Sequence, residues 1–346
     1  MFMYRPSAKI ASEQRRALLA WYDQHHRPLP WRPSGGKGGA DVYAIWLAEI
    51  MSQQTTITAM RPYHEKFLQL WPTVQDLAAA ERDAVLGAWA GLGYYARARN
   101  LHACAQVVAE AGGFPNDIRD LRALPGVGDY TAAAIAAQAY GQAVVPVDGN
   151  VERVMARMLC LADAGPKLRK TVTMAVEPYA RSDRAGDFAQ SLMELGALVC
   201  RPKTPKCEIC PWARWCQAYD TGQEVAYPKK PEKRPKPQKY GALYLLCQGG
   251  DVAVEKRPDA GLLGGYWAPP TTAWTQRPWP ETAVQAAAPV VADWRHRGTV
   301  QHTFTHFSLD LQVWVAEGAI DGGRRSRDQL GRELPSVFRK ALAYLD

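Results

Sequence analysis

Four cysteines fall within seventeen residues, Cys200, Cys207, Cys210 and Cys216, spaced C-x6-C-x2-C-x5-C. Thiolates this close in sequence can wrap one metal centre. A structural zinc site usually pairs two short knuckles across a longer loop, and here only Cys207 and Cys210 form a knuckle. Four ligands contributed singly suit the corners of a cubane iron–sulfur cluster better, although the spacing differs from the ferredoxin patterns. Zinc and a pair of disulfides stay open on spacing alone. Two carboxylates also stand out. In the helical stretch 41–54, Val42, Ile45 and Trp46 define an inward stripe, and Glu49 falls on it, four after Ile45 and three after Trp46. A carboxylate aimed at a core is either ion-paired or kept protonated by desolvation. The first is structural; the second makes a general acid usable near neutrality. Asp148 precedes the stripe Val151, Val154, Met155 and Met158, where an N-cap belongs. It either only caps the helix or also serves as an anion that the helix dipole keeps charged. Between the two, Leu124-Pro-Gly-Val-Gly128 joins two helical stretches. Gly126 and Gly128, two apart, permit a tight turn with outward N–H groups beside a helix start, an anion site for one phosphate; an ordinary helix–helix turn is the alternative.

Stepping along the chain, residues 1 to about 221 read as helices. The stretches 64–70, 83–89 and 97–110 space apolar residues three and four apart, and Gly or Pro breaks separate them. The segment 222–239 changes character: its stretch 227–239 carries four prolines and six Lys or Arg against one Glu. It reads as an extended basic linker, solvated or running along phosphates. Beyond it the pattern alternates with period two, in ALYLLCQ, DVAVEKR and SLDLQVWV, with a flexible Gly261–Gly265 turn. The 346 residues suffice for two or three domains. A formal charge of +8 makes a polyanionic partner plausible, though many soluble proteins are mildly basic. Seven cysteines without a pairing pattern outside the quartet point to a reducing compartment. With no signal-peptide core and no membrane-spanning run, the expected location is cytoplasmic, nucleoid-associated in a bacterium.

Together the hairpin, the two carboxylates and the cysteine run resemble the iron–sulfur branch of the helix-hairpin-helix DNA glycosylase superfamily. Within it they resemble the adenine glycosylases, from Leu29-Pro-Trp-Arg32 through Cys216 and again in the C-terminal domain. The resemblance implies one 4Fe–4S cluster on the four cysteines and a basic loop, with Arg201 and Lys203, against DNA. It implies Glu49 as the general acid, Asp148 as the carboxylate facing an oxocarbenium ion, Tyr130 as an active-site support and Asn150 as an orienting residue. Trp31 and Arg32 are implied to line the base pocket. Gln54 and Tyr94 are implied to wedge into the duplex, with core packing the alternative for Tyr94. The hairpin glycines Gly126 and Gly128 would meet DNA backbone. Lyase-type relatives place a lysine where this chain has Tyr130, so a monofunctional enzyme is expected. Glu152 stands where many relatives carry a lysine. The implied partner is double-stranded DNA with adenine opposite 8-oxoguanine or guanine, bound by a monomer.

The run 254–269 resembles the start of a Nudix fold. The acidic metal box is not there, since residues 270–289 hold only Glu281, so hydrolysis is not expected. The resemblance instead implies recognition of 8-oxoguanine by Thr305 and His306, where relatives carry Ser-His; a strand-edge Thr and a surface His are the alternative. The expected architecture is multidomain. An all-α helix-hairpin-helix glycosylase region spans 1–221, made of a six-helix domain (34–145) and an iron–sulfur cluster domain (1–33 and 146–221). A linker (222–239) and an α+β Nudix-like domain (240–346) follow.

Overall fold

The computed structural model describes residues 6–32, 41–231, 235–258 and 262–345. It forms two compact units, Met1–Glu232 and Lys233–Asp346. Residues 232–234 of the basic segment and Gly261 of the expected glycine turn lie outside the described residues.

The first unit is helical: α1 (Ala8–His25), α2 (Val42–Ser52), α3 (Ile57–Leu70), α4 (Val74–Ala79), α5 (Arg82–Ala88), α6 (Ala96–Glu110), α7 (Ile118–Ala123), α8 (Asp129–Tyr140), α9 (Gly149–Met158), α10 (Gly165–Val176), α11 (Ala185–Glu194) and α12 (Gln217–Asp220). Side-chain caps set several starts. Asp41 accepts from Tyr43 N, Thr56 from Ala59 N, Asp117 from Arg119 N and Asp148 from Val151 N, each satisfying an N–H that the helix leaves unpaired. The unit holds two cores. One gathers α2 to α8 with Leu29 and Trp31; the other gathers α1, α9, α10, α11 and Trp212 of the cysteine loop.

Two expectations for α2 change. The helix ends at Ser52, so Gln54 lies in the following turn. There is also no one-sided stripe: every residue from Tyr43 to Met51 is buried, while Val42 is only half-buried. A helix at the centre of a domain is apolar all round, so Glu49 would be buried on any face.

The basic segment is shorter than read. Gln223 N donates to the Ala218 carbonyl, Tyr227 O accepts from Arg157, and Gln238 and Lys239 already belong to a strand. Local hydrogen bonds and sheet pairing hold both ends of a stretch whose proline content suggested a free spacer.

The second unit has β1 (Gln238–Gln248), β2 (Asp251–Ala253), β3 (Glu255–Lys256), β4 (Trp267–Ala268), α13 (Glu281–Ala286), β5 (Arg295–Thr303), β6 (Ser308–Glu317), β7 (Arg324–Ser326), α14 (Arg327–Glu333) and α15 (Ser336–Arg339). Its main sheet runs β5-β6-β1-β2-β7, with β1 parallel to β6 and the other pairs antiparallel. Alternate β1 residues enter different cores: Leu243 and Leu245 pack with Val337 and Phe338, while Ala242, Tyr244 and Leu246 pack with Val284, Trp294 and Trp314. The period-two pattern therefore marks a strand covered on both faces.

Candidate active site

A cleft of about 1410 Å³ lies in the helical unit, lined from both of its cores. Glu49, Tyr130, Asp148 and Asn150 all line it, with Trp31, Arg32, Gln54, Gly126 and Gly128. Residues 99 positions apart in sequence thus share one wall because α2, α8 and the start of α9 converge there.

Glu49 is 7% exposed. Burial pushes its pKa up, and the neighbouring Asp148 charge adds to this; donors from Gln138 and Tyr130, with the Arg32 charge, pull it partly back. Gln138 Nε2 donates to Glu49 Oε1 at 2.8 Å. The Tyr130 hydroxyl, 3.2 Å from Met193 Sδ, is also within hydrogen-bonding reach of Glu49. Burial first, then the Glu49 and Asp148 charges, push Tyr130 far above the usual phenol range, so it stays neutral.

Asp148 caps α9 as expected, and a second donor also holds its carboxylate. Its Oδ1 accepts from Val151 N at 2.8 Å as the cap of α9, and its Oδ2 accepts from Asn150 Nδ2 at 2.8 Å. Asn150 is fixed in turn, because Arg153 Nη2 donates to its Oδ1 at 2.8 Å while Arg153 Nε donates to the Cys200 carbonyl at 2.7 Å. Hydrogen bonds therefore run from the first cysteine's backbone to Asp148. The approach requires Gly196: a Cβ there would lie 2.5 Å from Asn150 Cβ.

The cleft also holds residues that the sequence reading missed. Glu194, fully buried, accepts from Arg27 Nε at 2.9 Å and Nη2 at 2.7 Å and from Arg32 Nη2 at 2.8 Å. Burial favours its neutral form, but the two guanidiniums outweigh that and hold its pKa below the usual carboxylate value. A signal existed: Gln190 and Glu194 lie four apart on α11 among the apolar Phe188, Ala189, Leu192 and Met193, a pattern like the one that singled out Glu49. Trp31 is buried beside them and packs edge-on against His64, ring centroids 4.9 Å apart.

Gln54 and Tyr94 are non-glycine residues in the left-handed region, at φ 57° and 49°, and Tyr94 is 57% exposed. Core packing of Tyr94 is thereby corrected: its ring projects to solvent. Such backbone is strained for side-chain-bearing residues and persists where surroundings enforce it. Arg97 does so, its guanidinium donating to the carbonyls of Ile50, Met51 and Gln53 on one side and of Leu92 and Gly93 on the other. In the hairpin Gly126 has φ 75°, and a Cβ there would meet Asn100 Cβ at 2.8 Å. Gly128 caps α8 with extended backbone.

The seven cysteines are all unpaired, which removes the disulfide reading. Among the described residues no three His, Cys, Asp or Glu side chains are arranged to hold a single metal ion. The quartet nevertheless lies within mutual electrostatic reach: burial first, then the other thiols, raises the pKa of Cys210 and Cys216, while at Cys207 Glu224 also contributes. Arg157 Nη1 lies 3.3 Å from Cys200 Sγ, and the same guanidinium donates to the Arg201 and Pro202 carbonyls at 2.8 Å each. Four thiols in one loop, the first beside a buried cation, fit a soft, anionic, thiolate-held cluster. Lys203 is exposed and Arg201 half-buried on the loop between the first two cysteines. In the second unit Thr305 and His306 are exposed at the tip of the β5–β6 hairpin, not along a strand edge; Phe304 N donates to the Phe307 carbonyl at 2.8 Å beneath them.

Residues 47–178 match the family model described as HhH-GPD superfamily base excision DNA repair protein, and residues 241–344 match that of the NUDIX domain. The helical unit is therefore that of a base-excision DNA glycosylase. A thermostable thymine-DNA glycosylase has this fold, 26% identical, with a TM-score of 0.54, covering 62% of this chain and 98% of its own. Endonuclease III, in a trapped covalent complex with DNA, shares the fold at 20% identity and a TM-score of 0.53, over 63% of this chain and 99% of its own. Human adenine DNA glycosylase is 35% identical over an alignment covering 90% of this chain and 68% of that one. The chain belongs to the adenine DNA glycosylase family. Among the described residues no helix is long and apolar enough to cross a membrane.

Proposed function

We propose that this glycosylase, as a monomer, hydrolyses the N-glycosidic bond of adenine mispaired with 8-oxoguanine or guanine in double-stranded DNA, without lyase activity. The observation that carries the reading is a pair of carboxylates in one cleft with different surroundings: Glu49, dry and pushed toward its protonated form, and Asp148, held by two donors at a helix start.

A stacked base is out of reach, so adenine must be flipped into the cleft. Gln54 and Tyr94, on loops strained outward, suit the role of wedges that fill the space left behind. In the pocket, Trp31 offers an apolar wall. Glu194 can only accept hydrogen bonds, which suits the 6-amino donor of adenine and opposes the O6 acceptor of guanine. Glu49 then gives its proton to a ring nitrogen of adenine as the C1′–N9 electron pair leaves with the base. Asp148 stabilises the oxocarbenium ion that remains. Water adds at C1′ and returns a proton to the Glu49 carboxylate, which restores the acid. Asn150 orients Asp148, and Tyr130, neutral and without an amine, supports Glu49 but cannot form a Schiff base.

The hairpin at Gly126 and Gly128 and the loop carrying Arg201 and Lys203 bind phosphates. Cys200, Cys207, Cys210 and Cys216 would hold a 4Fe–4S cluster, which would supply a cross-link of the loop and no part in bond cleavage. Thr305 and His306 would meet 8-oxoguanine. Release of free adenine from duplexes carrying A opposite 8-oxoguanine, G or T tests the reading. It requires fastest release opposite 8-oxoguanine and none opposite T; equal release from all three would sink it.

A further inference from the structure

Behind Glu49 lies a row of hydrogen bonds that the reaction scheme above does not use. The Tyr22 hydroxyl donates to Gln190 Oε1 at 2.6 Å, Gln190 Nε2 donates to Gln138 Oε1 at 3.1 Å, and Gln138 Nε2 donates to Glu49 Oε1 at 2.8 Å. Three helices contribute: Tyr22 from α1, Gln190 from α11, Gln138 from α8. Tyr22 and Gln190 are buried at 5% and 4% exposure and Gln138 is half-buried, so water competes least at the Tyr22 end of the row. Each amide uses its oxygen toward Tyr22 and its nitrogen toward Glu49, so the row has one direction. Burial, chiefly, pushes Tyr22 up to about 12, so its proton stays in place at any working pH. An amide N–H needs an acceptor, and a protonated carboxyl offers a good one only on the oxygen without the proton.

We propose that Gln138, backed by Gln190 and Tyr22, is a positioning residue that holds Glu49 Oε1 as an acceptor and so leaves Oε2 to carry the transferable proton toward the flipped adenine. The proposal rests on Glu49 being the acid. A donor on a carboxylate also favours the charged form, so Gln138 restrains the rise that burial imposes on Glu49. The other groups around Glu49 are accounted for. Tyr130 on α8 and Asp148 before α9 face it, and Arg32 acts from the 29–32 turn. On α11, Glu194 is paired with Arg27 and Arg32. From α3, buried His64 bonds the Ala44 carbonyl, and from α6, Arg97 bonds the Ile50 and Met51 carbonyls.

The test is single-turnover adenine release from an A:8-oxoguanine duplex across about pH 5 to pH 9 for the unaltered chain, Gln138→Leu, Tyr22→Phe and Glu49→Gln. In Gln138→Leu the alkaline limb moves to higher pH, because Glu49 loses a donor to its charged form. The rate at the optimum falls about tenfold, because the proton no longer has a fixed oxygen, and duplex affinity is unchanged. Tyr22→Phe keeps the packing and moves the limb the same way by less; it decides the matter if Gln138→Leu does not fold. A limb unmoved in the folded variants, or a uniform loss at every pH, overturns the proposal. Glu49→Gln separates the two readings. If it releases adenine normally, the acid assignment fails and the relay with it. If it is silent at every pH while the limb in the other variants stays put, the relay alone fails.

Discussion

Glu49 shows how one residue can be legible for the wrong reason. The sequence placed it on an apolar stripe, and it is buried; but α2 is apolar on every side, so burial follows from the helix being central. What sets its surroundings, Gln138 and Tyr130 from α8, comes from 89 and 81 positions away, beyond any local pattern. The same holds for Glu194, whose two arginines lie 162 and 167 residues earlier. Asp148 was readable as a cap because capping is local. A stability prediction follows from the raised Glu49 pKa. The folded state binds the proton more tightly than the unfolded state, so the stabilisation is complete below the unfolded carboxyl pKa and fades as pH rises through the folded one. Glu49→Gln, which cannot ionise, is therefore more stable than the native chain at about pH 8 and loses that advantage toward about pH 4. Denaturant midpoints at both pH values check this; a variant equally less stable at both would contradict it.

At the scale of elements, the helices α3, α5 and α6 were legible from apolar spacing, and the hairpin from its two glycines. The turn that carries Gln54 was not, because the side chain bracing it lies 43 positions away; the Tyr94 turn is braced by the same residue, three positions on. Arg97 satisfies carbonyls from both turns at once. Lysine keeps the charge but lacks the planar fork, so Arg97→Lys leaves several carbonyls without partners and costs at least about 2 kcal/mol of stability. On the proposed wedging by Gln54 and Tyr94, it also weakens binding to a mispaired duplex more than to a matched one; equal weakening, read by fluorescence anisotropy, would detach Arg97 from that role. Gly126→Ala places a Cβ on Asn100 at φ 75° and costs about 1–3 kcal/mol, measurable by chemical unfolding. The basic segment was misjudged because its prolines gave no hint that Tyr227 is held by Arg157.

For the whole molecule, composition and the switch from helical to alternating patterns foretold a helical unit and a sheet unit. The internal division of the first unit into two cores, with the cleft between them, depends on contacts that no window of sequence contains. One such contact chain joins the cysteine loop to the chemistry, from the Cys200 carbonyl through Arg153 and Asn150 to Asp148. Arg153→Gln should slow adenine release about tenfold while duplex affinity and the iron content of the proposed cluster persist; loss of the iron instead would make Arg153 a residue of the cysteine loop alone. In the proposed reaction two carboxylates, and no amine, break the bond. The decisive measurement incubates the 346-residue chain with a labelled A:8-oxoguanine duplex, with and without hot alkali, beside a thymine-glycol duplex. Strand cleavage of the A:8-oxoguanine duplex only after alkali, with the thymine-glycol duplex intact, is the predicted result. A nick without alkali, or a borohydride-trapped protein–DNA adduct, would contradict it.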